Sequence, residues 1–288
     1  MGSDRPWYDA PVSTATLFRP ETSNDFPRLE RLFEMAKKDF WNESEVIDWD
    51  RPLELPAPMR APLAKVLSTV YYGERAALEV ASQLIPMVKD EQCKFALAAQ
   101  VIEEAKHVSV FRRLIGKLDH IYPANFWSRQ VLSDLVRTRS SVAKLIGMQL
   151  IVENFANHLF HVLRAAIPDP HVKEVLLYVE RDEKKHTGLA AIYLPSVLRD
   201  LRPWDIPYIK AKQMYWGFCL ERTTYAHRHE AAALGIDLYE TMKKVLDAQD
   251  RIVSEMGTRR GIWKNRMLER ISLAAFKSDR DKRQRRAS

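Results

Sequence analysis

Two Glu-x-x-His motifs, each preceded by a lone glutamate thirty residues upstream, constrain this chain more than any other feature. The first set is Glu74 with Glu104 and His107; the second is Glu153 with Glu183 and His186. Each member of the first set lies 79 residues before its counterpart. Of the eight histidines, only His107 and His186 have a glutamate three positions earlier. Each acid sits on an apolar stripe of helical period. Leu67, Tyr71, Leu78 and Ala81 flank Glu74; Leu97, Val101, Val108 and Phe111 flank Glu104. Ile146, Leu150 and Phe160 flank Glu153; Leu176, Val179 and Ala190 flank Glu183. A carboxylate on an apolar face must be paired or metal-bound, because burying it free is costly. Residues i and i+3 share a helix face, so each motif can offer both side chains to one metal. Four carboxylates and two imidazoles so arranged are the donor set of a dimetal site inside a four-helix bundle.

The predicted fold class is therefore all-α, a ferritin-like four-helix bundle carrying a dimetal site with additional flanking helices. At 288 residues and 46% hydrophobic, the chain fits a single domain, 1–288. Its bundle core is expected over about 58–200, from helices near 58–87, 90–117, 138–167 and 171–199. A short helix is expected within 26–40, and an irregular start over 1–24. The segment 118–137 reads as a long crossover with a short helix of its own. Accessory helices are expected near 204–232, 236–256 and 261–277, followed by a basic tail, 278–288.

The net charge of +7 owes much to that tail. It is read as a solvated, disordered end, and nucleic-acid binding is not expected. No apolar run is long enough for a membrane span, and the start MGSDRPWYDAP lacks the apolar core of a signal peptide. Cys93 and Cys219 match no metal or redox spacing and read as free thiols in a reducing cytoplasm.

The six donors carry a charge of about −4, which balances two divalent cations. Oxygen-rich ligation with one imidazole per metal suits two iron ions, or one manganese and one iron. It does not suit structural zinc. Glu104 and Glu183 are the expected bridges between the metals. The acids just before the motif glutamates, Glu103 and Asp182, can reach across the bundle to the opposite histidine, Asp182 to His107 and Glu103 to His186. There they would fix the ring tautomer. The competing reading pairs them with Lys106, Lys184 or Lys185 at the surface.

These residues carry a resemblance. Phe40-Trp41-Asn42 with Asp48, Gly73-Glu74, IEEAKHVSVFR (102–112), Ile151-Val152-Glu153 and RDEKKH (181–186) resemble the ribonucleotide reductase small-subunit superfamily. Within these ferritin-like dimetal proteins the match is closest to the ligand-binding oxidase branch. RDEKKH is also similar to the second motif of acyl-carrier desaturases. The resemblance implies that Trp41 connects through Asp182 to His107 and carries electrons to the metals; the alternative is an aromatic filling the bundle flank. Three departures stand out. Phe111 occupies the position of the reductase radical tyrosine. Ala77 and Met148 stand where the oxidases have a crosslinked valine and tyrosine. Val179 stands where arylamine N-oxygenases add a histidine.

The expected function is a non-haem dimetal oxidase or oxygenase that activates O₂ and oxidises an apolar small-molecule or acyl substrate. Phe111, Met148, Phe155 and Phe160 are the expected lining. Monooxygenation, desaturation and N-oxidation stay open. An electron donor protein and a homodimer are the expected partners. The alternatives are a radical-generating reductase subunit and a ferritin-like iron-storage protein.

Overall fold

The computed structural model describes residues 26–258, 260–262 and 266–287, and every regular element among them is helical. The expected irregular start lies outside the described residues. Four long rods form the bundle. They are α3 (Ala57–Leu84), α4 (Glu91–Leu118), a third rod built from α6 (Ser141–Lys144), a π-helical run (Leu145–Val152) and α7 (Glu153–Ala166), and α8 (Pro170–Arg199). The connection from α3 to α4 is short, as is that from α7 to α8, so each pair packs side by side; α4 then packs on α8. The crossover between the pairs carries α5 (Phe126–Arg137), which lies against α3 and α9 (Asp205–Ala226). Around the bundle run α1 (Pro27–Lys38), the one-turn α2 (Glu43–Val46), α10 (Arg228–Ala233), α11 (Leu238–Glu255) and α12 (Arg266–Ala287).

Local signals place the ends. Asn125 caps α5 by accepting from Ser128 N at 2.9 Å. Asp169 caps α8 by accepting from Val172 N at 2.9 Å, with Pro170 in the first turn. The other Asp169 oxygen accepts from Glu54 N at 2.6 Å, so the same cap pins the Pro-rich connection before α3 to the bundle.

The core has two apolar clusters with a polar layer between them. One holds Val80, Leu84, Leu97, Leu150, Leu189 and Leu194; the other holds Leu63, Leu67, Leu114, Phe160, Leu176 and Val179. Each rod crosses from one cluster to the other at its motif glutamate. The four carboxylates therefore share one level of the bundle.

Three sequence expectations need correction. The third rod is not a continuous α-helix over 138–167: it begins at Ser141 and widens to π-helix over Leu145–Val152, immediately before Glu153. Such widenings aim side chains that a regular helix would direct elsewhere. Gly147 sits in this run, where a Cβ would fall 2.6 Å from Trp216 Cζ3 and closer still to Leu135, so only glycine lets α5 and α9 approach. The segment expected as one helix over 204–232 breaks at His227 into α9 and α10. The basic tail is not irregular, because α12 continues through it to Ala287, with Arg280 Nη1 3.2 Å from Glu240 Oε1 and its guanidinium over the Tyr239 ring.

Candidate metal centre

Glu74 comes from α3, Glu104 and His107 from α4, Glu153 from the first residue of α7, and Glu183 and His186 from α8. All six are buried. His107 Nδ1 lies 3.2 Å from Glu183 Oε1, 3.3 Å from Glu74 Oε2 and 3.8 Å from Glu104 Oε2. His186 Nδ1 lies 3.2 Å from Glu104 Oε1, 3.3 Å from Glu183 Oε2 and 3.8 Å from Glu153 Oε2. Two donor groups result. Glu74, Glu104, His107 and Glu183 form one, and Glu104, Glu153 and His186 the other, with donor atoms within 4.8 Å of one another in each. Glu104 belongs to both, and Glu183 turns one oxygen toward each imidazole.

Glu104 Oε2 and Glu183 Oε1 are buried without a hydrogen-bond partner. Unpartnered carboxylate oxygens at full burial are costly unless a cation takes them up. Charge crowding says the same. Burial, then Glu183, raises the Glu74 and Glu153 carboxyls well above the usual carboxylate range. Burial opposes protonation of the imidazoles, yet the surrounding acids hold both well above the usual histidine range, chiefly Asp182 at His107 and Glu183 at His186. Glu183 is held low against its burial, first by His186. Without metal, protons must balance this cluster. Two divalent cations fit the same donor set and need no protons.

Around the donors, Asp182 and Glu103 are buried and reach the opposite histidines, not the surface position of the competing reading. His107 Nε2 lies 3.1 Å from Asp182 Oδ2, and His186 Nε2 lies 2.9 Å from Glu103 Oε2. Each acid also meets a lysine. Lys185 Nζ donates to Asp182 Oδ1 at 2.8 Å and to Glu103 Oε1, joining the two histidines through one chain of polar contacts. Lys106 Nζ lies 2.9 Å from Asp182 Oδ2 and 4.1 Å from the centre of the Trp41 ring. Trp41 Nε1 donates to Asp182 Oδ2 at 2.8 Å. Trp41 and Asp182 also line a groove on the protein surface with Tyr178, Arg181 and Lys184.

Sequence reasoning passed over Gln100. Its amide donates to Glu104 Oε1 at 3.0 Å and to Glu153 Oε1 at 3.2 Å, and it accepts from Gln149 Nε2 at 2.8 Å. The available signal was its place four residues before Glu104, on the same helix face. The expected lining also needs correction. An apolar cleft holding about 620 Å³ of empty space, mouth included, reaches Glu74 and Glu153. Phe155 lines it, with Val70, Ala77, Val131, Leu159 and Leu220 among others. Phe111 and Phe160 instead stack on each other in the core, ring centres 5.6 Å apart, and Met148 is buried in the neighbouring cluster.

No family model matches the chain, and no curated protein sequence matches it. Solved structures do. A protein from Synechococcus with aldehyde deformylating oxidase activity superposes with TM-score 0.60 at 17% identity, covering 76% of this chain and 98% of its own. The dimanganese(II)-NrdF of Streptococcus sanguinis gives TM-score 0.66 at 12% identity, covering 87% and 95%. A variant R2-like ligand-binding oxidase with an aerobically reconstituted Mn/Fe cofactor gives TM-score 0.54 at 14% identity, covering 85% and 96%. Among the described residues no helix is long and apolar enough to cross a membrane. The chain has the ferritin-like, all-α fold of the R2-like dimetal proteins related to the ribonucleotide reductase small subunit.

Proposed function

We propose that this protein is a non-haem dimetal oxidase or oxygenase that uses O₂ to oxidise an apolar organic molecule. The observation that carries the reading is the pair of donor groups sharing Glu104, with unpartnered oxygens on Glu104 and Glu183. Glu74, Glu104, His107 and Glu183 would hold one metal, and Glu104, Glu153, Glu183 and His186 the other. Two iron ions, or manganese and iron, would supply the electrons that reduce O₂. Support for the manganese option comes from the dimanganese and Mn/Fe centres of the structural neighbours.

The chain's own residues do the rest. The Nε2–H groups of His107 and His186 donate to Asp182 and Glu103, which leaves both Nδ1 atoms free to ligate. Trp41 and Asp182 offer a hydrogen-bonded route from the surface groove to His107, the path we assign to electrons from a donor protein. The apolar cleft beside Glu74 and Glu153 excludes water and holds the organic substrate.

Anaerobic loading with Fe(II), removal of free metal and elemental analysis should give two metals per chain, and O₂ should then be consumed. Stoichiometry well below two would overturn the reading. The NrdF likeness favours a radical-generating subunit as the second reading. Phe111 has no phenol to oxidise, so oxygenated protein should show no long-lived tyrosyl signal by electron paramagnetic resonance. Such a signal, or radical delivery to a reductase catalytic subunit, would favour that alternative.

A further inference from the structure

The cleft that reaches Glu74 and Glu153 is apolar for most of its length, but its far wall is not. Three hydroxyl side chains line it: Thr69 of α3, Ser128 of α5 and Thr223 of α9. Ser128 is satisfied by its own helix cap, its Oγ donating to Asn125 O at 3.0 Å. Thr69 Oγ1 lies 2.8 Å from His227 Nε2. Thr223 Oγ1 is buried and has no partner. Its neighbour Thr224 shows the bond a helical threonine ordinarily makes, donating to Leu220 O at 2.9 Å. Thr223 makes no such bond and faces the cleft.

These polar groups converge. Leu220, Thr223 and His227 fall on one stripe at the end of α9, and Thr69 and Gly73 fall on one face of α3. Thr69 precedes Glu74 by five residues, about 7.5 Å along the helix axis. Thr69 thus stands apart from the carboxylate layer, with Val70 and Gly73 on the stretch of wall between. None of the described lining residues is Lys, Arg or His. The nearby Lys65 pairs with Glu230 at 3.4 Å outside the cleft. A buried hydroxyl without a partner favours a ligand with a hydrogen-bonding atom, and the absence of Lys, Arg and His from the described lining disfavours an ionised group at this end, away from Glu74 and Glu153.

We propose that the cleft binds an uncharged amphiphile, an apolar chain bearing one neutral hydroxyl or carbonyl group held by Thr223 beside the Thr69–His227 pair. The apolar body lies toward Glu74 and Glu153. This deepens the oxidase reading by naming its substrate class and the end of the substrate that stays away from the metals. It rests on that reading only for what becomes of the ligand once bound.

Displacement of a neutral apolar dye, N-phenyl-1-naphthylamine, from the full-length protein tests it with 1-octanol, octanoate and octane. In metal-free protein, octanol should bind at least tenfold more tightly than octanoate. Thr223→Val should weaken octanol about five- to tenfold and leave octane unchanged, the loss of one hydrogen bond. Thr223→Ser keeps the hydroxyl and should keep the preference. A Cβ at Gly73 meets nothing within 4 Å, so Gly73→Leu should fill the cleft and abolish binding of all three without disturbing the fold. Octanoate binding as tightly as octanol, an unchanged octanol affinity in Thr223→Val, or no displacement by octanol would each overturn the proposal. Mn(II) stoichiometry of the same variants separates the two claims. Two Mn(II) per chain without the alcohol preference sinks this inference and leaves the dimetal reading standing.

Discussion

The two halves of the metal centre repeat the same donors in the same spacing, yet their surroundings differ. On the His107 side, Asp182 sits among four polar neighbours: His107, Trp41, Lys106 and Lys185. On the His186 side, Glu103 contacts His186 and Lys185, and Gln100 braces Glu104 and Glu153. The residue equivalent to Gln100, four before Glu183, is Val179, buried in the apolar cluster. The first half is wired by charge toward the surface; the second is tied by neutral amides inside the bundle. A repeated donor motif would set which atoms meet the two proposed metals, and the different neighbours behind those donors make the two halves inequivalent. That inequivalence is what an enzyme needs if one side takes electrons and the other orients a substrate.

The largest effect should come from the donor that both halves share. Glu104→Ala should reduce metal content from two per chain to well below one, whereas Glu74→Ala should leave about one. Elemental analysis after anaerobic loading reads the difference. Equal losses in the two variants would mean that Glu104 does not bridge.

Next come the acids behind the histidines. Asp182→Asn should weaken metal binding about 10–100-fold, measured by competition with a chelator. It removes the carboxylate that orders His107 and leaves Lys106 and Lys185 short of a counter-charge. Glu103→Gln removes fewer contacts and should cost less. A larger effect for Glu103→Gln would reverse the proposed asymmetry.

Acidity should separate the metal-free from the loaded protein. The raised Glu74 and Glu153 carboxyls bind protons in the folded state first, so their contribution grows as pH falls through their folded values toward the ordinary carboxylate range. The raised imidazoles contribute fully below the ordinary histidine range, and that contribution is lost as pH rises through their folded values. Asp182, held low by His107 and the lysines against its burial, and Glu183 contribute above the ordinary carboxylate range and fail only in stronger acid. Metal-free protein should therefore melt higher at about pH 5.5 than at about pH 8. Metal displaces those protons, so loading should remove or reverse the trend. Calorimetry on both forms reads it.

Much of this centre was legible in the chain. An acid on an apolar stripe with a histidine one turn on has few physical explanations, and the all-α bundle follows from four such stripes. The reach of Asp182 and Glu103 to the opposite histidines follows from their position beside the ligand face. The π-helical run was not legible. LIGMQLIV is apolar but for Gln149, so it carries no period to betray a change of helix. The lining was only partly legible, because α5 and α9, distant in sequence from the motifs, supply part of the cleft wall, and Phe111 and Phe160 stack on each other in the core. Thr223 looked like any helical threonine until the absence of a partner for its hydroxyl singled it out.

The smallest expected effect probes the neutral side of the comparison. Gln100→Met keeps the volume and removes the two donors to Glu104 and Glu153 while stranding the Gln149 amide. Because the hydrogen bonds of Gln100 go to Glu104, Glu153 and Gln149 and not to a histidine, the loss of metal affinity should stay below about tenfold, less than for Asp182→Asn. It should also be confined to one position. Anaerobic Mn(II) titration followed by electron paramagnetic resonance should show the first equivalent binding as in the parent protein and the second weakened. The reciprocal change, Val179→Gln, places an amide four residues before Glu183. It should bring the two affinities closer together if that amide is what distinguishes them. Uniform weakening of both equivalents in Gln100→Met would mean that Gln100 acts through the shared Glu104 alone. The inequivalence of the two halves would then rest entirely on the charged network around Asp182.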